Sequence, residues 1–492
     1  MTQVAATAPQ SASAASRWRH FLAIDEREAI IAFAQTAYGR GLIALLVLLA
    51  VWPHFGGWAS IVAVAAAMAA SLKTAWRNQI LCAATWLTAF AATWLGENDT
   101  ADNIASVLAQ EQLPQLSAAL LATGFLALLV VIASPMFYWI RSAPQSLLAK
   151  RPLVTLLLLE TAACLVANLD VMQGRPRAAL WSAIFVFTPY LWFLPYAIVD
   201  QRSRTPSPML FQMAILRPFW SPSYLSFNKG AAFLNKHLAK TPNDLAVTQL
   251  KAVKLLLWAN VLYAIRRTLG FIFGEQLNIP AVGEAIDALS AGHPYPALIG
   301  WTVIIVSTAK LSLQIALWAH LFVGIARLAG YRLPRGSWRP LGSRTLMDYF
   351  NRFHYYFKEF LVDFFFVPTF FKVFRGHPRL RMFFATFMAA GVGNALWHFF
   401  RDIDLIATQG MAAALASYTS YAFYCVVLAT GVGLSQVRAN LGKRSSATMI
   451  GRVYSFFFVW SFVVCMHIFS DGSRNHPLGE RLSFLASLFG VY

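Results

Sequence analysis

The sequence predicts an all-α fold, a polytopic transmembrane helical bundle of roughly ten spans with re-entrant or interfacial helices. Three observations predict it. Hydrophobic residues make up 58% of the 492-residue chain and charged residues only 12%, against about 25% charged in a soluble globular protein. The apolar residues come in runs long enough to cross a bilayer as helices, which takes roughly 20 residues each. The basic residues gather between those runs, as the bias of Lys and Arg toward cytoplasmic loops requires.

Taken in order, residues 1–28 read as a disordered N-terminal tail and 29–492 as one transmembrane domain. The first sixteen residues carry neither charge nor an apolar core, so they lack the basic start and apolar stretch of a signal peptide. Candidate spans follow at about 31–52, 58–72, 79–95, 116–139, 153–171 and 179–199. Pro53 and the Gly56–Gly57 pair close the first of them. Residues 200–244 are rich in Pro and Ser and read as a non-spanning loop with surface helices. Asp244 is placed to cap a helix to about Gly270, whose charged ends and apolar middle suit a span or an interfacial helix. The remaining spans are about 298–326, 382–400, 411–437 and 449–469. No internal repeat is visible, which disfavours an inverted-repeat transporter.

Orientation follows from three basic groups: Arg327, Arg332, Arg335, Arg339 and Arg344; Lys372, Arg375, Arg379 and Arg381; and Arg438, Lys443, Arg444 and Arg452. If all three are cytoplasmic, residues 347–371 cannot cross once. They must dip in and return, or lie along the membrane. Irregular backbone at depth is tolerated only where protein or a water-filled cavity surrounds it.

The net charge of +19, from 40 basic and 21 acidic residues, points to anionic lipid headgroups rather than nucleic acid in so apolar a chain. Cys82, Cys164, Cys425 and Cys465 all lie in apolar runs without a CxxC pair, so they read as small buried hydrophobes. No nucleotide-binding glycine loop, HExxH or zinc-type spacing occurs, so no metal or nucleotide cofactor is expected.

Two segments hold the chemistry. In 348–363, Asn351, His354 and Lys358 recur at spacings of three and four and share one face if the segment is helical. Arg352, Glu359 and Asp363 lie elsewhere around it. In 391–402, Asn394, His398 and Asp402 follow one another at one-turn spacing, with Gly391 and Gly393 allowing a neighbour to approach closely. Ionisable groups at membrane depth are costly and usually face the protein interior or a cavity. Lys310, one turn from Gln314 inside a span, either binds an anionic part of a substrate or forms a structural pair with a carboxylate such as Glu160. His320 and His467, near helix ends, read as interfacial, and Arg401 with Asp402 as a solvated helix end.

These two segments resemble the signature regions of the membrane-bound O-acyltransferase (MBOAT) family. Phe350-Asn351-Arg352-Phe353-His354 is similar to its W-x-R-W-H stretch, with Phe for both Trp, and Leu396-Trp397-His398 to its L-W-H core. Phe360, Asp363 and Phe364 fall where the family has Trp, Asp and Tyr. The likeness covers about residues 348–402. It departs at Val362, at Tyr356 and Lys358, and at Phe399, so substrate specificity is what transfers least. The resemblance implies transfer of an acyl group, acetyl among the candidates, from a thioester to a hydroxyl. His398 would be the general base, with His354 or Asn351 assisting. Asn394, Trp397, Arg352, Lys358 and Lys310 are the candidate substrate-binding residues. The implied partners are membrane lipids, an acyl-CoA or acyl-carrier donor, a hydroxyl-bearing acceptor such as a cell-envelope glycan or lipid, and an acyl carrier or envelope-biosynthesis protein. A bacterial inner membrane is the expected location. The alternative is a transporter or flippase of a lipid-linked or anionic solute, with the same polar residues lining its path.

Overall fold

The computed structural model describes residues 23–96, 99–227, 229–441, 448–472 and 476–491. The first twenty-two residues of the expected tail, and Lys443 and Arg444 of the third basic group, lie outside the described residues. Among those described there is no strand, and the fold is an all-α polytopic bundle. Among the described residues, seven helices are long and apolar enough to span: Ala37–Phe55, Ala118–Ser142, Pro242–Gln276, Ala297–Leu328, Pro378–Arg401, Thr419–Asn440 and Met449–Ser470. Two bent pairs raise the number to nine, near the ten expected. The Ala-rich helices, expected as two spans, form one of these pairs, Gly57–Leu72 with Thr74–Trp94, bent by 114°. The other is Arg175–Tyr190 with Leu194–Gln201, bent by 66°. The expected span at 153–171 is a shorter apolar helix, Pro152–Ala167. This is an integral multi-pass membrane protein.

Local sequence explains several boundaries. The first spanning helix runs through Pro53, which falls only in its last turn, and stops at Gly56. There φ is 72°, a conformation costly for any residue with a Cβ. The helix expected from Asp244 is instead capped by Thr241, whose hydroxyl accepts from the Asp244 N–H, with Pro242 in its first position. A threonine cap followed by proline is favoured because the proline lacks only an N–H that would be orphaned anyway. This helix qualifies as a span and packs antiparallel to Ala297–Leu328, where Gly324 admits the Leu256 side chain. The tail ends earlier than expected: Asp25 is buried and its carboxylate lies 2.5 Å from Lys254 Nζ. That ion pair ties the chain upstream of residue 29 to a spanning helix.

The stretch between the first two basic groups dips in and returns. It comes in beside Thr419–Asn440, where Leu346 packs on Gly431 and the Met347 N–H donates to Ser435 Oγ. Helix Leu346–Phe353 ends at His354, whose φ of −122° and ψ of 53° break the helical path. Tyr355–Leu361, a π-helical turn over Val362–Phe366 and Val367–Phe370 then run back along Pro378–Arg401. Phe357 meets Trp397, Phe365 meets Gly393, and Arg381 lies over Phe370. A second π turn, Met388–Gly393, faces the first across this contact. Such bulges are found frequently at functional sites.

Candidate active site

The two polar segments, 348–363 and 391–402, both line one cavity of about 790 Å³. His354 reaches it from the apex of the returning segment. Asn394, Trp397, His398 and Arg401 reach it from one helix, at the i, i+3, i+4, i+7 spacing that shares a face. Thr308 and Ser312 line it from Ala297–Leu328, and Tyr421 and Tyr424 from Thr419–Asn440.

Phe357 stands between the two histidines. Its ring centroid lies 6.3 Å from that of His354 and 6.2 Å from that of His398. The imidazoles can therefore be no farther apart than the sum of those separations. The His398 ring also packs at 4.3 Å from Tyr421 and 4.7 Å from Trp397. Aromatic rings thus fix its orientation on three sides. Among the described residues, four cavity-lining side chains carry a buried polar atom with no hydrogen-bond partner: Thr88 Oγ1, Thr308 Oγ1, Asn394 Oδ1 and Trp397 Nε1. Leaving such a group unmet costs about 1–3 kcal/mol, so each is a place where a small side-chain shift toward water or a polar ligand would be favourable.

The other expected site residues lie away from the cavity. Asn351 does not share a face with His354 and Lys358, because the helix breaks at His354, and it is exposed. Arg352 Nε donates to Asp348 at 2.7 Å and its guanidinium lies over Trp338. Lys358 pairs with Glu359 at 2.6 Å. Lys310 is absent from the lining, and Glu160 accepts a hydrogen bond from Thr188 rather than pairing with Lys310. Lys229 Nζ, just before helix Ala231–Lys236, joins Glu359 at 2.6 Å and Asp363 at 3.1 Å on the returning segment, and Tyr196 donates to Asp363. Burial pushes the Lys229 ammonium pKa down, but the two carboxylates outweigh it and hold the group above its ordinary value.

Three cavity residues were not legible from spacing alone. His467, expected at an interface, is buried, bonded to Ser307 Oγ at 2.8 Å, and lines the cavity. Arg481, from the C-terminal helix Leu478–Ser487, lines the same end. Arg401, read as a solvated end, lies over Trp397 and takes both oxygens of Asp402 at 2.9 Å. Its position three residues after His398 was the available signal. His320, also expected at an interface, is buried and bonds the Ala316 carbonyl, a packing role.

No protein-family model matches the chain, and no curated protein is significantly similar to it.

Proposed function

We propose that the protein is a divergent membrane-bound O-acyltransferase acting at a bacterial inner membrane. It would transfer an acyl group from a thioester donor to the hydroxyl of an envelope glycan or lipid. The observation that carries this reading is the shared cavity. Two imidazoles distant along the chain, one from each signature segment, flank one phenyl ring in one chamber. The chemistry needs a base beside an alcohol and polar groups where carbonyl charge develops. In the proposed step His398 takes the hydroxyl proton while the oxygen attacks the thioester carbonyl. The C–S bond then breaks, and the departing thiolate recovers the proton from the imidazolium. His354, Asn394 and Trp397 supply nitrogen or amide groups around the reacting carbonyl. Asn351, exposed outside the chamber, has no part in this step.

The test is mass spectrometry of envelope glycans and lipids from cells carrying the wild-type chain, His398→Ala, or neither. Loss of a general base lowers rates by about 10²–10⁴-fold. The variant should therefore be present in the membrane at normal level yet leave the acylated product at the level of cells lacking the protein. Wild-type acylation by His398→Ala would overturn the assignment.

A further inference from the structure

A second cavity, of about 220 Å³, lies apart from the reaction chamber, and all the described residues that line it are charged: Asp25, Lys251, Lys254, Arg327 and Arg335. Four cations face one carboxylate. Lys254 takes that carboxylate at 2.5 Å, while Lys251 stands 4.0 Å from it. Arg327 spends Nε and one terminal nitrogen on the Leu333 carbonyl. Lys251 and Arg335 are exposed at the rim. Like charges converging in a partly desolvated space repel, and an anion with several acceptor oxygens relieves this through charge-assisted bonds. Arg327 and Arg335 belong to the first basic group, which places the cavity on the cytoplasmic side.

What adjoins the cavity points to an amphiphile. From Lys254 along its helix, Leu257, Trp258, Val261 and Ile265 are all exposed, at i+3, i+4, i+7 and i+11, so they form a lipid-facing stripe leading away from the cations. We propose that this cavity holds the phosphate headgroup of an anionic phospholipid of the cytoplasmic leaflet, with an acyl chain along that stripe. Basic pockets between helices on this side are suited to such headgroups. The site stands whether or not the chain transfers acyl groups.

The site also touches the reaction apparatus. Arg327 holds the Leu333 carbonyl, Tyr356 Oη donates to the neighbouring Pro334 carbonyl, and the Tyr355 N–H donates to Gly336. The loop that borders the lipid site therefore clamps the segment whose apex is His354.

The experiment is native mass spectrometry of the delipidated full-length protein with phosphatidic acid or phosphatidylcholine, with glycerol 3-phosphate as competitor. Wild type should retain phosphatidic acid in preference to phosphatidylcholine. The rim variant Lys251→Ala with Arg335→Ala should lower that retention about tenfold. The control Lys372→Ala with Arg375→Ala, from a separate basic group, should leave it unchanged. Unchanged retention in the rim variant, or an equal fall in the control, would overturn the proposal. Displacement of the lipid by glycerol 3-phosphate at equal concentration would overturn the lipid as occupant and assign the site to a soluble phosphate ester.

Discussion

Gly393 is where the returning segment presses closest on the helix that carries His398. A Cβ there would stand 2.7 and 2.8 Å from the Phe365 ring and 2.9 Å from a Leu361 methyl, against about 3.5–4.0 Å for relaxed carbon contacts. The Leu361 methyl is the end of a flexible side chain, but the Phe365 ring is met at its Cγ, one bond beyond Cβ, so the ring or its helix must yield. Such overpacking costs about 1–3 kcal/mol. Alanine recovers about 0.8–1.0 kcal/mol of helix propensity over glycine, leaving a net loss of up to about 2 kcal/mol. Gly124 supplies the reference, since a Cβ there meets nothing within 4 Å. Gly393→Ala should thus melt below wild type in detergent, and Gly124→Ala at or above it, with the steric term as the difference. If the acyl-transfer reading holds, the displaced helix also separates His354 from His398, and a shift of about 1 Å can cost about 100-fold in rate. Equal melting temperatures for the two alanine variants would refute the packing argument. Equal stability with lost acyl transfer would refute only the steric cost.

Asn394→Leu removes an unpartnered buried amide oxygen from the cavity wall. Thermal unfolding should show no loss of stability, and a gain of up to about 1 kcal/mol, while, on the acyl-transfer reading, product formation falls at least about tenfold; a variant that loses stability would mean that the amide has a structural partner. Lys229→Met leaves Glu359 and Asp363 without their shared cation. The pair is partly solvated, so the cost should be about 1–2 kcal/mol, below that of a fully buried pair. Against burial, which raises it, Lys229 helps hold the Glu359 carboxyl below its ordinary value, so the variant's melting temperature should drop most at neutral pH, where Glu359 is charged, and least once acid has protonated it. A deficit that does not shrink as pH falls would contradict the ion-pair account.

Much of this was legible in the chain itself. The apolar runs at Ala297–Leu328 and Met449–Ser470 announce spans because only intrahelical hydrogen bonds satisfy backbone groups in lipid. The conflict between the basic groups on either side of residues 347–371 called for a segment that turns back or lies along the membrane, and the chain turns back at His354. Asn394, His398 and Asp402 at one-turn spacing marked a polar site within an apolar helix, because ionisable groups at membrane depth usually face the protein interior or a cavity.

What spacing could not supply was the break in the helix. Asn351 and Lys358 share a face with His354 only in a continuous helix, and the kink at His354 sends them elsewhere. Nor does any local pattern bring His467 and Arg481 to the chamber, or Asp25 to Lys254, since those meetings depend on how distant helices stack. Composition and charge placement alone therefore determined a helical membrane protein and two chemically rich segments. Tertiary packing alone decided which of their side chains share a chamber, because lipid dictates how a helix satisfies its backbone but not which of its faces meets a neighbour.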